Sequence, residues 1–98
     1  MNVENILSEI QQKAKGVAPI GNTIKFDFGG QHIFVDGTGD SNAITLDDKE
    51  ADCVISVTPE NLIALTQGKL NPMMAVMSGK VKIKGDMGVA MKLQSLFS

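Results

Sequence analysis

Five of the six methionines in this 98-residue chain, Met73, Met74, Met77, Met87 and Met91, fall in its last thirty residues. Methionine is unbranched and polarizable, so these side chains could either re-pack around apolar guests of different shapes or fill an irregular core. The rest of the chain offers little chemistry. The only histidine, His32, sits beside a Gly29-Gly30 turn with no carboxylate or cysteine at metal-ligand spacing. The single cysteine, Cys53, lies in an apolar run and reads as core rather than nucleophile; alone it allows no internal disulfide, which suits a reducing compartment. Asp36, Asp40, Asp47, Asp48, Glu50 and Asp52 gather on turns, without the spacing of a calcium loop closed by a bidentate glutamate. Gly29-Gly30 and Gly37-Thr38-Gly39 read as hairpin turns rather than phosphate-binding loops. No cofactor or metal is expected, and the residues point to binding rather than reaction.

Composition narrows the partners. The chain has room for one core and reads as a single domain over residues 1–98. It contains no apolar run near the roughly 20 residues that span a bilayer. Its amino end is polar and amphipathic, without the basic start and apolar block of a signal peptide, so a cytosolic location is expected. Residues 1–68 hold four lysines against ten acids, and residues 69–98 hold five lysines against Asp86 alone. The basic, methionine-rich end could therefore touch an anionic membrane surface, or Lys80, Lys82 and Lys84 could merely mark the solvent face of a strand. Nucleic acid is a poor partner for a chain with no arginine, tryptophan or tyrosine.

Periodicity supplies the elements that must position these side chains. Val3, Ile6, Leu7, Ile10 and Ala14 recur at helical spacing, and Gly16 closes the helix. Ile24, Phe26 and Phe28 alternate with polar residues, and Gly29-Gly30 turns the chain into a second strand over residues 31–36. Third and fourth strands follow over residues 43–46 and 53–57, and the four are expected to run as an antiparallel meander. Thr58-Pro59 and Asn71-Pro72 each announce a helix, over residues 59–67 and from 72 to about 78. Val81 and Ile83 alternate with lysines in a last strand, Gly85 breaks it, and Asp86 caps a terminal helix. Strands first and helices mostly later indicate an α+β domain with helices covering one face of a sheet. A lumen of about 300 Å³ between the layers would sit at the small end of ligand pockets. Empty, it would cost roughly 7 kcal/mol, so flexible methionines or a guest would have to fill it.

The segments Ala51-Asp52-Cys53, GKLNP at 68–72 and SGKVKIKGDMGVAMKLQ at 78–94 resemble the sterol-carrier-protein domain, also called the type 2 sterol-carrier or nonspecific lipid-transfer domain. The likeness covers about residues 25–96 and is closest to compact bacterial or archaeal members. It implies a five-stranded, mostly antiparallel sheet with helices on one face, enclosing an apolar tunnel for fatty acids, acyl-CoAs, phospholipids or sterols. Carried over by position, Leu62, Leu65, Leu70, Met74, Val76 and Met77 would form the helical wall of that tunnel. Val81 and Ile83 would lie in the last strand, and Met87, Val89, Met91 and Leu93 in the closing helix. Gln94 could bond a ligand head group near the mouth or simply face solvent. Phe28, Phe34 and Ile44 are the floor candidates from the hairpins. The chain lacks a second helix after its first, has Val76-Met77 where a bulkier aromatic pair is frequent, and ends without a small-basic-Leu peroxisomal signal.

The leading expectation is thus a noncatalytic binder of a lipid or fatty acyl ligand. Two alternatives remain: a module whose methionine-rich face packs on a second copy or a partner, and an accessory that presents lipid substrates to a separate enzyme.

Overall fold

The computed structural model describes residues 3–92. Helix α1 (Val3–Ala14) buries Val3, Ile6, Ile10 and Ala14, the stripe its spacing predicts. Strands β1 (Thr23–Asp27) and β2 (His32–Asp36) form the expected hairpin, with Phe26 opposite Ile33 and Ile24 opposite Val35. Asp27 shapes the turn by accepting the Gly29 N–H at 2.8 Å, and Gly29 takes a φ of 91° that favours glycine. Strand β3 (Ala43–Thr45) lies against β2, and strand β4 (Cys53–Val57) follows it in the chain.

Here the structure departs from the meander. The sheet order is β3-β2-β1-β4-β5, so β4 skips past β3 and β2 and pairs with β1 in parallel; the other three pairings are antiparallel. Side-chain bonding at the strand entrances explains why. The Asp52 carboxylate accepts the Thr23 N–H at 3.1 Å and the Asn22 amide at 3.2 Å, while the Asp52 N–H donates to Thr23 Oγ1 at 2.8 Å. These bonds hold the starts of β1 and β4 side by side, which is a parallel register. Residues 46–52 make the crossing over the outer face of the sheet. Lys25 there meets Asp48 at 2.8 Å, and Lys49 stands 5.8 Å from the centre of the Phe34 ring.

The chain then builds its helical layer. Helices α2 (Pro59–Thr66), α3 (Pro72–Met77) and α4 (Met87–Met91) begin at Thr58, Asn71 and Asp86, whose side chains accept N–H groups of the first turn. Each such cap is worth about 1 kcal/mol, which matters for helices of five to eight residues. Strand β5 (Val81–Gly85) intervenes and closes the sheet against β4. Gly85 has φ 102°, and a Cβ there would stand 2.5 Å from the Asp52 carbonyl oxygen, so only glycine lets β5 end this close to the crossing. Helices α1 to α4 join one apolar core on the inner sheet face, around Ile24, Phe26, Ile33, Val35, Cys53 and Ile55. The α+β architecture with a five-stranded, mostly antiparallel sheet is as expected.

The Asp52 junction also reaches α4. Lys92 donates to the Ile20 carbonyl at 2.9 Å and to Asn22 Oδ1 at 2.6 Å, and Asn22 in turn bonds Asp52. The Thr23 N–H, then the Asn22 amide and, more weakly, Lys92 hold the Asp52 carboxyl below its ordinary value of 3.8. Asp36 and Asp48 are held low as well, chiefly by Thr38 and Lys25. A carboxylate with a depressed folded-state pKa stabilises the fold above its unfolded value, and that contribution disappears as pH falls through the folded one. Melting followed by circular dichroism from pH 7 to pH 3 should show the wild-type Tm falling below about pH 4. In Asp52→Asn the Tm should start lower and fall less; parallel profiles would mean that the junction contributes nothing.

Candidate apolar binding site

Two adjacent strands and three helices bound a cavity of about 110 Å³. Its floor is Ile55 of β4 with Val81 and Ile83 of β5; Ile55 and Ile83 face each other directly across the ladder. Leu65 of α2, Pro72 and Val76 of α3 and Ala90 of α4 roof it. Met73 and Met77 from α3, and Met87 and Met91 from α4, form its rim. The pattern is the same on both short helices: Met73-Val76-Met77 and Met87-Ala90-Met91 stand at i, i+3, i+4, the spacing that puts three side chains on one helix face. All four rim methionines are more than half exposed, and Met77 reaches 80%. Every lining side chain among the described residues is apolar, so the site offers dispersion and exclusion of water, with no titratable group to move a proton. The space is smaller than the roughly 300 Å³ at the low end of ligand pockets.

Of the residues expected at the site, Leu65, Val76, Met77, Val81, Ile83, Met87 and Met91 meet around this cavity. The others are placed differently. Phe34 is no floor residue: Ile33 and Val35 pair with the inward Phe26 and Ile24, so Phe34 points outward, where the crossing residues leave it 4% exposed. Ile44 does face inward, but on β3, the far edge of the sheet, beneath α1, whose Gln11 donates to its carbonyl. Phe28 packs half-buried on the core at the hairpin end. Leu62 and Val89 are buried in the core and do not line the lumen, and Leu70 lies half-buried in the turn between α2 and α3. Met74 turns away from the cavity and is 62% exposed. Leu93 and Gln94 lie outside the described residues. Met73, one of the methionines singled out at the start, lines the cavity as well, while Ile55, Pro72 and Ala90 were not expected there.

The reactive residue types stand apart from the cavity floor. Cys53 is fully buried under the sheet, and burial pushes its thiol pKa up, which disfavours the thiolate. His32 Nε2 lies 3.8 Å from both Asp27 and Asp48, on the outer face, a proximity the sequence did not reveal because Asp48 arrives on the crossing.

An α+β layer with an apolar space between sheet and helices defines a small-molecule binding domain, and the comparisons say of which kind. The family model of the SCP-2 sterol transfer family matches residues 3–98. The chain belongs to that family, whose domains bind and transfer lipids. Sterol carrier protein 2 of Rattus norvegicus is 50% identical over 58 residues, 59% of this chain and 11% of the rat protein. Hydroxysteroid dehydrogenase-like protein 2 of Danio rerio is 38% identical over 79 residues, 76% of this chain and 19% of that protein. The chain thus spans only a small part of the curated relatives it matches. The solution structure of palmitated SCP2L2 from Aedes aegypti superposes with a TM-score of 0.70 at 22% identity, covering 99% of this chain and 95% of that one.

Proposed function

We propose that this domain is a noncatalytic lipid carrier that holds one apolar chain between β4-β5 and helices α2, α3 and α4. The ligand class is long-chain: a fatty acid, a fatty acyl-CoA, a phospholipid or a sterol-like molecule. One observation carries the reading: the only groups that line the 110 Å³ space among the described residues are apolar, and exposed methionines on two short helices rim it. A chain enters by pushing those side chains outward, and each methylene it buries contributes about 0.8 kcal/mol. Such a site measures apolar length poorly, which fits a carrier of several lipids better than a receptor for one. Family membership supports the same reading. The domain would work in the cytosol, in keeping with a lone, buried thiol.

The likeness to a short stretch of a much larger dehydrogenase-like protein favours a second role for the same site, presenting lipid substrates to a separate catalyst. Native mass spectrometry of freshly purified protein, followed by organic extraction, tests the main reading. A stoichiometric lipid that leaves on extraction is the expected result. A bare protein that also ignores added fatty acid would end the carrier reading.

A further inference from the structure

Sulfur is the readily oxidised element in this chain, which has no tryptophan or tyrosine. The one thiol is poorly placed to react. Cys53 is fully buried at the start of β4, and burial disfavours the thiolate that peroxides attack. The rim methionines are the opposite case. Met73, Met77, Met87 and Met91 are all more than half exposed, and a thioether needs no ionisation before it is oxidised. Met74 is a fifth exposed methionine, on α3 but outside the lumen. Leucine has nearly the same volume and would serve an apolar rim as well. What sulfur adds is a reversible change from apolar to polar.

We propose that Met73, Met77, Met87 and Met91 are a peroxide-responsive modification site, whose conversion to methionine sulfoxide closes the cavity to lipid until a thiol-dependent sulfoxide reductase reverses it. The proposal rests on the carrier reading and deepens it by naming how loading of that site is regulated. In the step, a thioether sulfur attacks one oxygen of hydrogen peroxide; an S–O bond forms as the O–O bond breaks, and the proton on the transferred oxygen leaves with the second oxygen as water. Sulfur gives up two electrons and the peroxide takes them. In the return step two reductase thiols become a disulfide, and the sulfoxide oxygen departs as water. The effect on binding follows from the lining. No lining side chain among the described residues carries a hydrogen-bond donor, so a sulfoxide oxygen turned toward Ile83 or Ala90 loses its water and finds no partner. The oxidised side chain therefore stays turned to solvent and no longer covers a bound apolar chain. Two of the four stand on α3 and two on α4, so the mouth loses its apolar cover from both helices.

The test exposes the protein to millimolar hydrogen peroxide, locates the added oxygen by peptide mass spectrometry, and titrates each sample with a fluorescent fatty acid. Wild type should gain oxygen at the four rim positions and at Met74 while Cys53 stays reduced. Its affinity for the fatty acid should fall at least about tenfold. Methionine sulfoxide reductases A and B, one for each sulfoxide epimer, should restore that affinity in the presence of a thiol. Met74→Leu should lose affinity on oxidation as wild type does. The fourfold variant Met73→Leu, Met77→Leu, Met87→Leu, Met91→Leu, which keeps Met74, should hold its own untreated affinity through the same exposure. The reductase arm decides on its own should the fourfold variant not fold. Rim sulfoxides with unchanged affinity would overturn the proposal and leave the carrier reading standing. So would oxygen added at Cys53 rather than at the rim, or a loss of affinity that the fourfold variant shares or the reductases do not restore. Untreated wild type that takes up no fatty acid would remove the carrier reading and the switch together.

Discussion

Replacing Ile55 with alanine should lower the unfolding free energy of the lipid-free domain by about 2 to 5 kcal/mol, and an apolar ligand should return more of that loss than it adds to wild type. Ile55 is fully buried, belongs to the sheet core and also stands on the cavity floor opposite Ile83. Truncation removes its transfer free energy and enlarges a 110 Å³ space, each added Å³ costing about 24 cal/mol. A ligand at about 100 times its Kd stabilises the folded state by roughly 2.7 kcal/mol, and an enlarged floor should raise that increment for bulky lipids. Phe26→Ala is the control. Phe26 is equally buried but lines no part of the cavity, so it should cost about 3 to 5 kcal/mol with no gain in ligand response. Urea unfolding with and without a long-chain fatty acid reads all four quantities. Equal ligand increments in the two variants would place the ligand somewhere other than over Ile55.

Val76→Trp should abolish fatty-acid uptake, weakening binding at least about tenfold, or roughly 1.4 kcal/mol. Val76 is half-buried at the middle of the Met73-Val76-Met77 face, where an indole has the cavity to grow into. Filling existing space keeps the cost to stability within the usual 1 to 3 kcal/mol of overpacking. Met74→Trp, two positions away and outside the cavity, should bind as wild type does. Titration with a fluorescent fatty acid separates the two. If Val76→Trp keeps its affinity, the space between sheet and α3 is not where the chain lies.

How the sequence succeeded and failed here follows from the range of the interactions. Element ends were legible because they are local: Thr58-Pro59, Asn71-Pro72 and Asp86 start helices by bonding to residues two or three positions on. The partner of β4 was not. Alternation marks residues 53–57 as a strand, but the choice between β3 and β1 is made by Asp52 and Thr23, 29 positions apart. Phe34 failed for a related reason, because apolar character cannot say which sheet face a strand residue takes when both faces are covered, here by helices and by the crossing. Leu62 and Val89 show that buried is not the same as lining: both were expected in the tunnel wall, and only packing decides whether a buried side chain borders the lumen. The adjacent pair Met73-Met74 makes the point on a helix, where a turn of about 100° between neighbours sends one side chain to the rim and the other to solvent.

The connection of Lys92 to Ile20 and Asn22, 72 and 70 positions earlier, bears on how the domain assembles. The floor strand β4 is made well before α4, which supplies Met87, Ala90 and Met91. At translation rates of about 5 to 20 residues per second, the roughly 30 residues between them take about 2 to 6 s to emerge. Because the parallel β1-β4 ladder and the Lys92 tie both close long loops, folding of this domain should be slow beside that of a helical bundle of equal size. The last wall of the cavity is therefore placed only when residue 92 can reach back to residues 20 and 22, so completion of the site depends on a contact that spans 70 positions or more.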